Sequence, residues 1–167
     1  MRASSQNRNK GPVTPDIAVF VKNFNKGLRS SQHMHVVLLG LSDFNAQSLL
    51  KKVEQGFSFR VFEHLQRNMA LPKYELADLI MIRPRTLNRR KDEGRLQPDE
   101  SDRLLRASRI FGRALELFNG RAEAARRWLA SAQPALNGET PLNVAKTDIG
   151  AREVENLIGR IEQGVFT

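Results

Sequence analysis

Cysteine is absent from this 167-residue chain, and it contains no long apolar run. Without cysteine the protein forms neither disulfides nor thiolate metal sites. No stretch approaches the ~18 consecutive apolar residues that a membrane-spanning helix needs. The basic, polar N-terminal segment also lacks the apolar region of a secretory signal. We therefore expect a cytoplasmic protein that does not engage a membrane.

Catalytic and metal-binding patterns are also missing. His33 and His35 lie two positions apart, and no third metal ligand is evident near them. Ser30 and Ser31 have no neighbouring base, and no glycine-rich phosphate loop follows a strand pattern. The acidic residues are scattered, so no pair is placed to share a proton. The sequence therefore predicts a binding protein without enzymatic activity, cofactor or metal.

Negative charge is scarce, because 18 acidic residues stand against 27 Lys and Arg and leave a net charge of +9. Residues 1–32 contain six basic side chains and one acidic one, and residues 72–95 contain seven and four, whereas residues 96–167 are balanced. Two basic concentrations predict a polyanionic partner. The alternative is a solvated tail and a chance cluster. One Trp and one Tyr offer few stacking surfaces, which favours DNA over RNA.

Helical periodicity dominates the chain after Ser42. His35–Leu39 is the compact β-like run that precedes it. Ser42, Ser58 and Asp148 are the expected N-caps of successive helices. A long apolar stripe at 99–118 predicts either core or a dimer interface, with core favoured. The composition of residues 1–15 predicts disorder.

Leu71–Arg95 has the pattern of a helix-turn-helix, whose second helix enters the major groove of DNA. Pro84 stands in the first turn of that helix, where its missing N–H is harmless, and Gly94 ends the helix. The apolar core of the motif consists of Leu76, Ala77, Ile80, Ile82 and Leu87. The alternative is an ordinary helical hairpin with a basic, solvated face.

Two positions depart from the usual helix-turn-helix pattern. Met81 stands where the turn normally has glycine, so it must avoid positive φ or accept strain. Arg90 stands where a second apolar residue is usual. We expect its stem to lie on the core and its guanidinium to reach a phosphate.

The outward side chains of the second helix are of types that bind base edges or phosphates. Arg85, Asn88 and Arg89 are the expected base contacts. The expected backbone contacts are Arg83, Thr86, Arg90, Lys91 and Arg95. Because a single small helix-turn-helix usually binds a palindromic site as part of a dimer, we expect a homodimer.

The C-terminal part has a long ordered pattern of its own. Residues 121–166 read RAEAARRWLASAQPALNGETPLNVAKTDIGAREVENLIGRIEQGVF. The pattern consists of Ala125, Trp128, Leu129, Pro134, Leu136, Gly138, Pro141, Leu142, Thr147, Gly150, Val154, Leu157, Ile161 and Gly164. It closely resembles the toxin-binding domain of Xre/MbcA/ParS-type antitoxins. Arg85-Thr86-Leu87 with Arg89-Arg90 resembles the helix-turn-helix of the same family, and the resemblance spans residues 36–166.

This resemblance implies an antitoxin encoded beside a RES-domain toxin, an enzyme that consumes NAD. The antitoxin would place C-terminal elements over the active-site entrance of the toxin, and the complex would repress its own promoter. The implied fold is all-α, a helical bundle containing the helix-turn-helix followed by a small helical toxin-binding domain. The expected parts are a basic tail at 1–34, a helical domain at 35–119 with the motif at 72–94, and a toxin-binding domain at 120–167. The alternative is a stand-alone transcriptional regulator with a helical oligomerisation domain.

Candidate toxin contacts lie on and after the last helix, whose apolar stripe serves its own core or the partner. They are Arg152, Glu153, Glu155, Asn156, Arg160, Glu162, Gln163, Val165 and Phe166. An NAD-binding toxin needs cationic groups for the pyrophosphate, so the glutamates are expected to pair with those groups. Arg160 is equally suited to a catalytic carboxylate. Phe166 is a candidate plug, and packing on the antitoxin's own helices is the alternative for it.

Overall fold

The computed structural model describes residues 13–27 and 33–165, and within these ranges it contains helices and no β-strand. The elements in chain order are α1 (Pro15–Asn25), a 3₁₀ helix (Met34–Leu39), α2 (Ala46–Glu54), α3 (Phe59–Met69), α4 (Lys73–Leu79), α5 (Pro84–Glu93), α6 (Pro98–Leu117), α7 (Ala122–Leu129), a short 3₁₀ turn (Pro134–Leu136), α8 (Pro141–Val144) and α9 (Asp148–Glu162). The predicted all-α fold is confirmed.

The 20-residue helix α6 forms the centre of the molecule. It packs against the 3₁₀ helix Met34–Leu39, α7 and α9, and its side chains Leu104, Phe111 and Leu115 are fully buried. These residues belong to one apolar cluster that extends from α1 to α9. The stripe at 99–118 is therefore core, as favoured, and is not available as a dimer interface.

The N-terminal segment contains a helix that the sequence reading assigned to a basic tail. The Thr14 side chain accepts a hydrogen bond from the Ile17 N–H, and Pro15 occupies the first helical position of α1. Ile17, Phe20 and Phe24 are buried, and α1 packs on the 3₁₀ helix Met34–Leu39. The tail prediction is wrong for this segment, because α1 has one acidic and one basic residue and buries an apolar face. Residues 1–12 lie outside the described residues.

A polar network fixes α1 to α3. The fully buried Asn68 donates from Nδ2 to the Asp16 carboxylate at 2.9 Å and to the Leu38 carbonyl at 2.7 Å. Its Oδ1 accepts from the Thr14 hydroxyl. His64 Nδ1 lies 2.9 Å from the same Asp16 oxygen. The start of α1 is thus held by directional contacts as well as by apolar packing.

The β-like run His35–Leu39 is a 3₁₀ helix, which corrects the strand prediction. Val36, Leu38 and Leu39 are completely buried in contact with α1, α3 and α6. No partner strand exists among the described residues, so backbone groups here use helical hydrogen bonds. Burial, followed by the positive charge of Arg109, lowers the pKa of His35 to about 4.

Two N-caps are at other residues than predicted. Asn45, not Ser42, caps α2, because its side chain accepts from the N–H groups of Gln47 and Ser48 at 2.9 and 3.2 Å. Thr147, not Asp148, caps α9 by accepting from the Gly150 N–H at 3.0 Å. Ser58 occupies the N-cap of α3 as predicted, without a hydroxyl capping bond. Asp148 is thereby left in the first turn of α9, with its carboxylate available for ion pairs.

Candidate functional site

Helices α4 and α5 form the predicted helix-turn-helix. The five apolar residues expected in its core, Leu76, Ala77, Ile80, Ile82 and Leu87, are all buried. In the turn, Met81 has φ of +58° and a side chain that is 60% exposed. Of the two expectations for this residue, strain is the one observed, and it costs about 1–2 kcal/mol relative to glycine. The turn geometry is therefore kept although the usual glycine is missing.

The outward side of α5 is basic. Arg83, Arg85, Asn88, Arg89 and Lys91 are exposed, and Thr86 is half-buried. Arg89 lies 3.8 Å from Glu93 in a loose pair. Among the described residues, Arg83, Arg85 and Lys91 form no ion pair. This surface therefore presents solvated cations, which is the arrangement that binds phosphates.

Arg90 does not belong to that surface, which corrects its predicted contact with DNA. It is only 8% exposed, and its Nε donates to both carboxylate oxygens of Glu100 in α6 at 3.0 and 2.8 Å. Its Nη1 donates to Glu93 at 3.0 Å. Hydrogen bonding to Glu100 raises the pKa of the Arg90 guanidinium further above its usual range. The Arg90 guanidinium is buried together with its aliphatic stem, because it binds the buried carboxylate of Glu100.

Arg95, also predicted to contact DNA, is exposed but already engaged. Its Nη1 donates to the carbonyls of Gln55 and Gly56 at 3.0 and 2.7 Å, where α2 ends. Gly56 permits this close approach of two segments, since a Cβ there would lie 2.1 Å from the Leu96 carbonyl oxygen. Arg95 therefore ties the end of the motif to α2.

Sequence reasoning missed two exposed residues at the start of α4. The Lys73 ammonium lies 4.7 Å from the centroid of the Tyr74 ring. Hydrogen bonding to Lys73, and then to Asn88 of α5, lowers the pKa of the Tyr74 hydroxyl. The position of the one tyrosine of the chain inside the basic motif was the available signal. Lys73 and Tyr74 extend the basic surface of α5 onto α4.

Helix α9 is bound to α6 by ion pairs along its length. Asp148 pairs with Arg106 at 3.6 Å, Glu155 with Arg109, and Glu162 with Arg113 at 2.9 Å. The three acids are spaced by seven residues, so they recur on one side of the helix. Two glutamates expected to meet a toxin, Glu155 and Glu162, thus already have partners in their own chain.

The opposite side of α9 faces solvent and contains an apolar residue that sequence reasoning missed. Ile149 is 77% exposed in the first turn of the helix. Glu153 and Asn156, four and seven residues later, are also exposed and share its side of the helix. Ile149 falls outside the stripe formed by Val154, Leu157 and Ile158, which are buried. Its mismatch with that periodicity was the available signal.

The other candidate toxin contacts are placed as follows. Arg152 is exposed and pairs with Asp148 at 3.0 Å. Gln163 and Val165 are exposed, whereas Arg160 is half-buried and its enclosed Nε has no hydrogen-bond partner among the described residues. Phe166 lies outside the described residues. The accessible candidates of this set are therefore Arg152, Glu153, Asn156, Gln163 and Val165.

The C-terminal helices are also attached to α3 and to α4 of the motif. Lys146 Nζ lies 2.6 Å from Asp78 of α4, and Arg126 of α7 donates twice to the Asn68 carbonyl at 3.1 and 2.7 Å. Gly150 allows α9 to begin directly against α8, since a Cβ there would lie 1.8 Å from the Val144 carbonyl oxygen. The two halves are thus joined at the surface as well as in the core.

The part of the chain that the structure describes contains no group of three or more His, Cys, Asp or Glu side chains able to hold a metal ion. Over the same residues, no helix has both the length and the apolar character required to cross a membrane.

Comparison with known proteins assigns each half of the chain to a known domain family. Residues 48–109 match the antitoxin Xre-like helix-turn-helix domain, and residues 113–164 match the antitoxin Xre/MbcA/ParS C-terminal toxin-binding domain. The protein is 34% identical over 130 residues to "Antitoxin Xre" of Yersinia enterocolitica, which covers 77% of this chain and 88% of that protein. It is 32% identical over 116 residues to "Antitoxin Xre" of Photorhabdus laumondii, with 69% and 78% covered. A third "Antitoxin Xre", from Pseudomonas putida, is 30% identical over 123 residues, with 74% of each chain covered. The chain therefore belongs to the Xre/MbcA/ParS family of antitoxins, with a DNA-binding helix-turn-helix and a toxin-binding domain.

Proposed function

We propose that this antitoxin neutralises a RES-domain toxin that consumes NAD, and that the complex represses the operon encoding both proteins. The observation that supports this proposal is the difference between two surfaces, one basic and solvated on α5, the other nearly neutral with an exposed isoleucine on α9. The first suits promoter DNA and the second suits a protein. The identity of the toxin rests on the family resemblance.

On the DNA side, Arg85, Asn88 and Arg89 contact base edges in the major groove. The backbone is held by Arg83, Thr86, Lys91 and the exposed part of Arg95. Arg90 has no direct contact with DNA, because Glu100 occupies its guanidinium. Two antitoxin chains bind the two half-sites of a palindromic operator. They do not dimerise through the apolar stripe of α6, which is buried within one chain.

On the toxin side, the outward stripe of α9 docks first. Ile149 supplies the apolar anchor, with Arg152, Glu153 and Asn156 around it. Gln163, Val165 and Phe166 then lie over the entrance of the toxin active site, and substrate is excluded. The antitoxin performs no reaction of its own. It acts in the cytoplasm, where both NAD and its promoter are found.

Co-expression with the product of the neighbouring gene tests the toxin half. The toxin alone should deplete NAD and stop growth, and the antitoxin should restore both and co-purify with the toxin. A neighbouring product that lacks a RES domain, or NAD loss that continues in the presence of the antitoxin, would contradict the proposal.

A band-shift assay with the promoter fragment tests the DNA half, using the antitoxin alone and in complex with the toxin across a salt series. Operator preference over unrelated DNA and over structured RNA is expected. Operator binding by a protein that never co-purifies with a neighbouring enzyme would instead identify a stand-alone regulator.

A further inference from the structure

The recognition helix α5 is attached to the rest of the protein by little apolar surface. All residues of α5 are described, and Leu87 is its single buried apolar side chain. The other buried side chain is Arg90, one turn further along. A single apolar contact holds a helix near its neighbour but leaves its rotation and tilt poorly determined, since apolar packing is not directional. Something else must set the orientation of α5.

The buried pair between Arg90 and Glu100 supplies a directional contact at the C-terminal half of α5. Glu100 is 5% exposed and accepts from Arg90 Nε with both oxygens. One of these oxygens also accepts from the Gln97 N–H at 2.8 Å, in the capping box that starts α6. The carboxylate is therefore fixed by its own helix before it meets the arginine.

A second directional contact lies at the other end of α5. Arg103, three residues after Glu100 on α6, donates from Nε to the Ile80 carbonyl in the turn at 2.6 Å. Its Nη1 is held by Asp99 at 3.0 Å. The first turns of α6 thus hold both the turn that precedes α5 and the final turns of α5 itself. Together with Arg95, which ties the end of the motif to α2, these contacts determine the direction of the short helix α5.

We propose that Arg90 and Glu100 are positioning residues for sequence reading. Their ion pair sets the orientation in which Arg85, Asn88 and Arg89 reach base edges, while neither residue contacts DNA. Buried ion pairs often add little net stability compared with apolar substitutes, and in some proteins they select one arrangement of the groups they join. The inference rests on the proposed DNA contacts of α5.

The double variant Arg90→Met with Glu100→Gln tests this role. Glutamine keeps an oxygen for the Gln97 N–H, and the double change leaves the net charge unaltered. Affinity is measured for the operator and for unrelated DNA of equal length across a salt series. The ratio of the two affinities should fall about tenfold, which is the order of one lost base contact. Affinity for unrelated DNA and the salt slope should stay unchanged, because no phosphate contact is lost.

Two further variants separate orientation from folding. Arg90→Lys keeps the positive charge but replaces the planar guanidinium by a point contact, so it should also lower the affinity ratio. A matched control, Arg127→Gln with Glu123→Gln, removes one charge of each sign from an exposed ion pair on α7 and should keep the ratio. The far-ultraviolet circular dichroism spectrum of every variant, and toxin binding by the two variants at Arg90, report that the fold is retained.

The results distinguish failure of the positioning role from failure of the proposed DNA binding. A double variant that keeps the wild-type affinity ratio overturns the positioning role, and so does an Arg90→Lys variant that keeps it. A salt slope that decreases by one phosphate contact in the double variant would place Arg90 on DNA and also overturn the proposal. Absence of operator preference in the wild type would instead contradict the proposed function itself.

Discussion

Helices α5 and α9 both present charged side chains, but they use them differently. On α5, Arg83, Arg85 and Lys91 have no ion-pair partner among the described residues and remain solvated. On α9, Glu155 and Glu162 are paired with arginines of α6, and the exposed side is left with Ile149. Unpaired cations suit phosphates, whose binding releases counterions. An apolar residue surrounded by polar groups suits a folded protein partner.

The two surfaces rest on the same support, because α6 holds α5 through Glu100 and Arg103 and holds α9 through three arginines. Perturbing that support should impair both surfaces, whereas perturbing either surface should impair one alone. The difference between α5 and α9 is therefore open to direct test.

Acid should produce the largest effect and should affect both surfaces together. Burial lowers the pKa of His35, beneath α6, to about 4 from an unfolded value near 6.5. The unfolded state therefore binds the proton more readily, and stability falls as pH decreases from 6.5 to 4 by at most about 3 kcal/mol. Chemical denaturation at several pH values measures this slope. His35→Gln should flatten it, and equal slopes in both proteins would contradict the assignment.

Arg85→Ala should affect only the DNA surface. Loss of one bidentate base contact removes roughly 1–3 kcal/mol of discrimination between operator and altered sequences. Stability and toxin binding should be unchanged, because the side chain is exposed and forms no ion pair among the described residues. Band shifts with single-base operator variants provide the measurement. Unaltered preference at every operator position would show that Arg85 does not read bases.

Ile149→Asp should affect only the toxin surface. Placing a carboxylate in the anchor position should weaken toxin binding by about 1–2 kcal/mol, or roughly tenfold, as measured by calorimetry. The helix should tolerate the change, since acidic residues are favourable in a first turn. Val19→Asp, on the exposed side of α1, is the matched control. Equal toxin affinity of the two variants would remove Ile149 from the interface.

The ion pair between Arg113 and Glu162 should give the smallest effect. Both side chains are about one-third exposed, so a double-mutant cycle with Arg113→Ala and Glu162→Gln should yield a coupling of about 0.2–1 kcal/mol in stability. The coupling should shrink at high salt. A large loss of toxin affinity in Glu162→Gln alone would indicate that Glu162 exchanges its arginine for the toxin.

Sequence periodicity located α3, α6 and α9 because their inner faces bury residues at regular spacing, as Val154, Leu157 and Ile158 do in α9. The glycine that ends α5 was equally readable, since Gly94 adopts φ of +74°. Helix α1 was also readable, because Thr14, Pro15 and Asp16 form a good helix start before Ile17, Phe20 and Phe24. The basic residues on either side of this helix led instead to the prediction of a tail.

Other features depend on contacts between distant segments, which periodicity does not report. The run from Val36 to Leu39 looked like a strand, but it is enclosed by helices and has no strand beside it among the described residues. Arg90 looked like a phosphate ligand because Glu100, ten residues later, belongs to another helix. In the same way, Glu155 was predicted to be available for a toxin because its partner, Arg109, lies on another helix.

The seven-residue spacing of the acids on α9 has a consequence for how such a protein diversifies. A helix whose register is set from beneath by three ion pairs and an apolar stripe can change its outer residues without sliding. Ile149, Glu153 and Asn156 are then free to be exchanged as a set. For the toxin interface proposed on α9, partner specificity can then change without redesign of the fold.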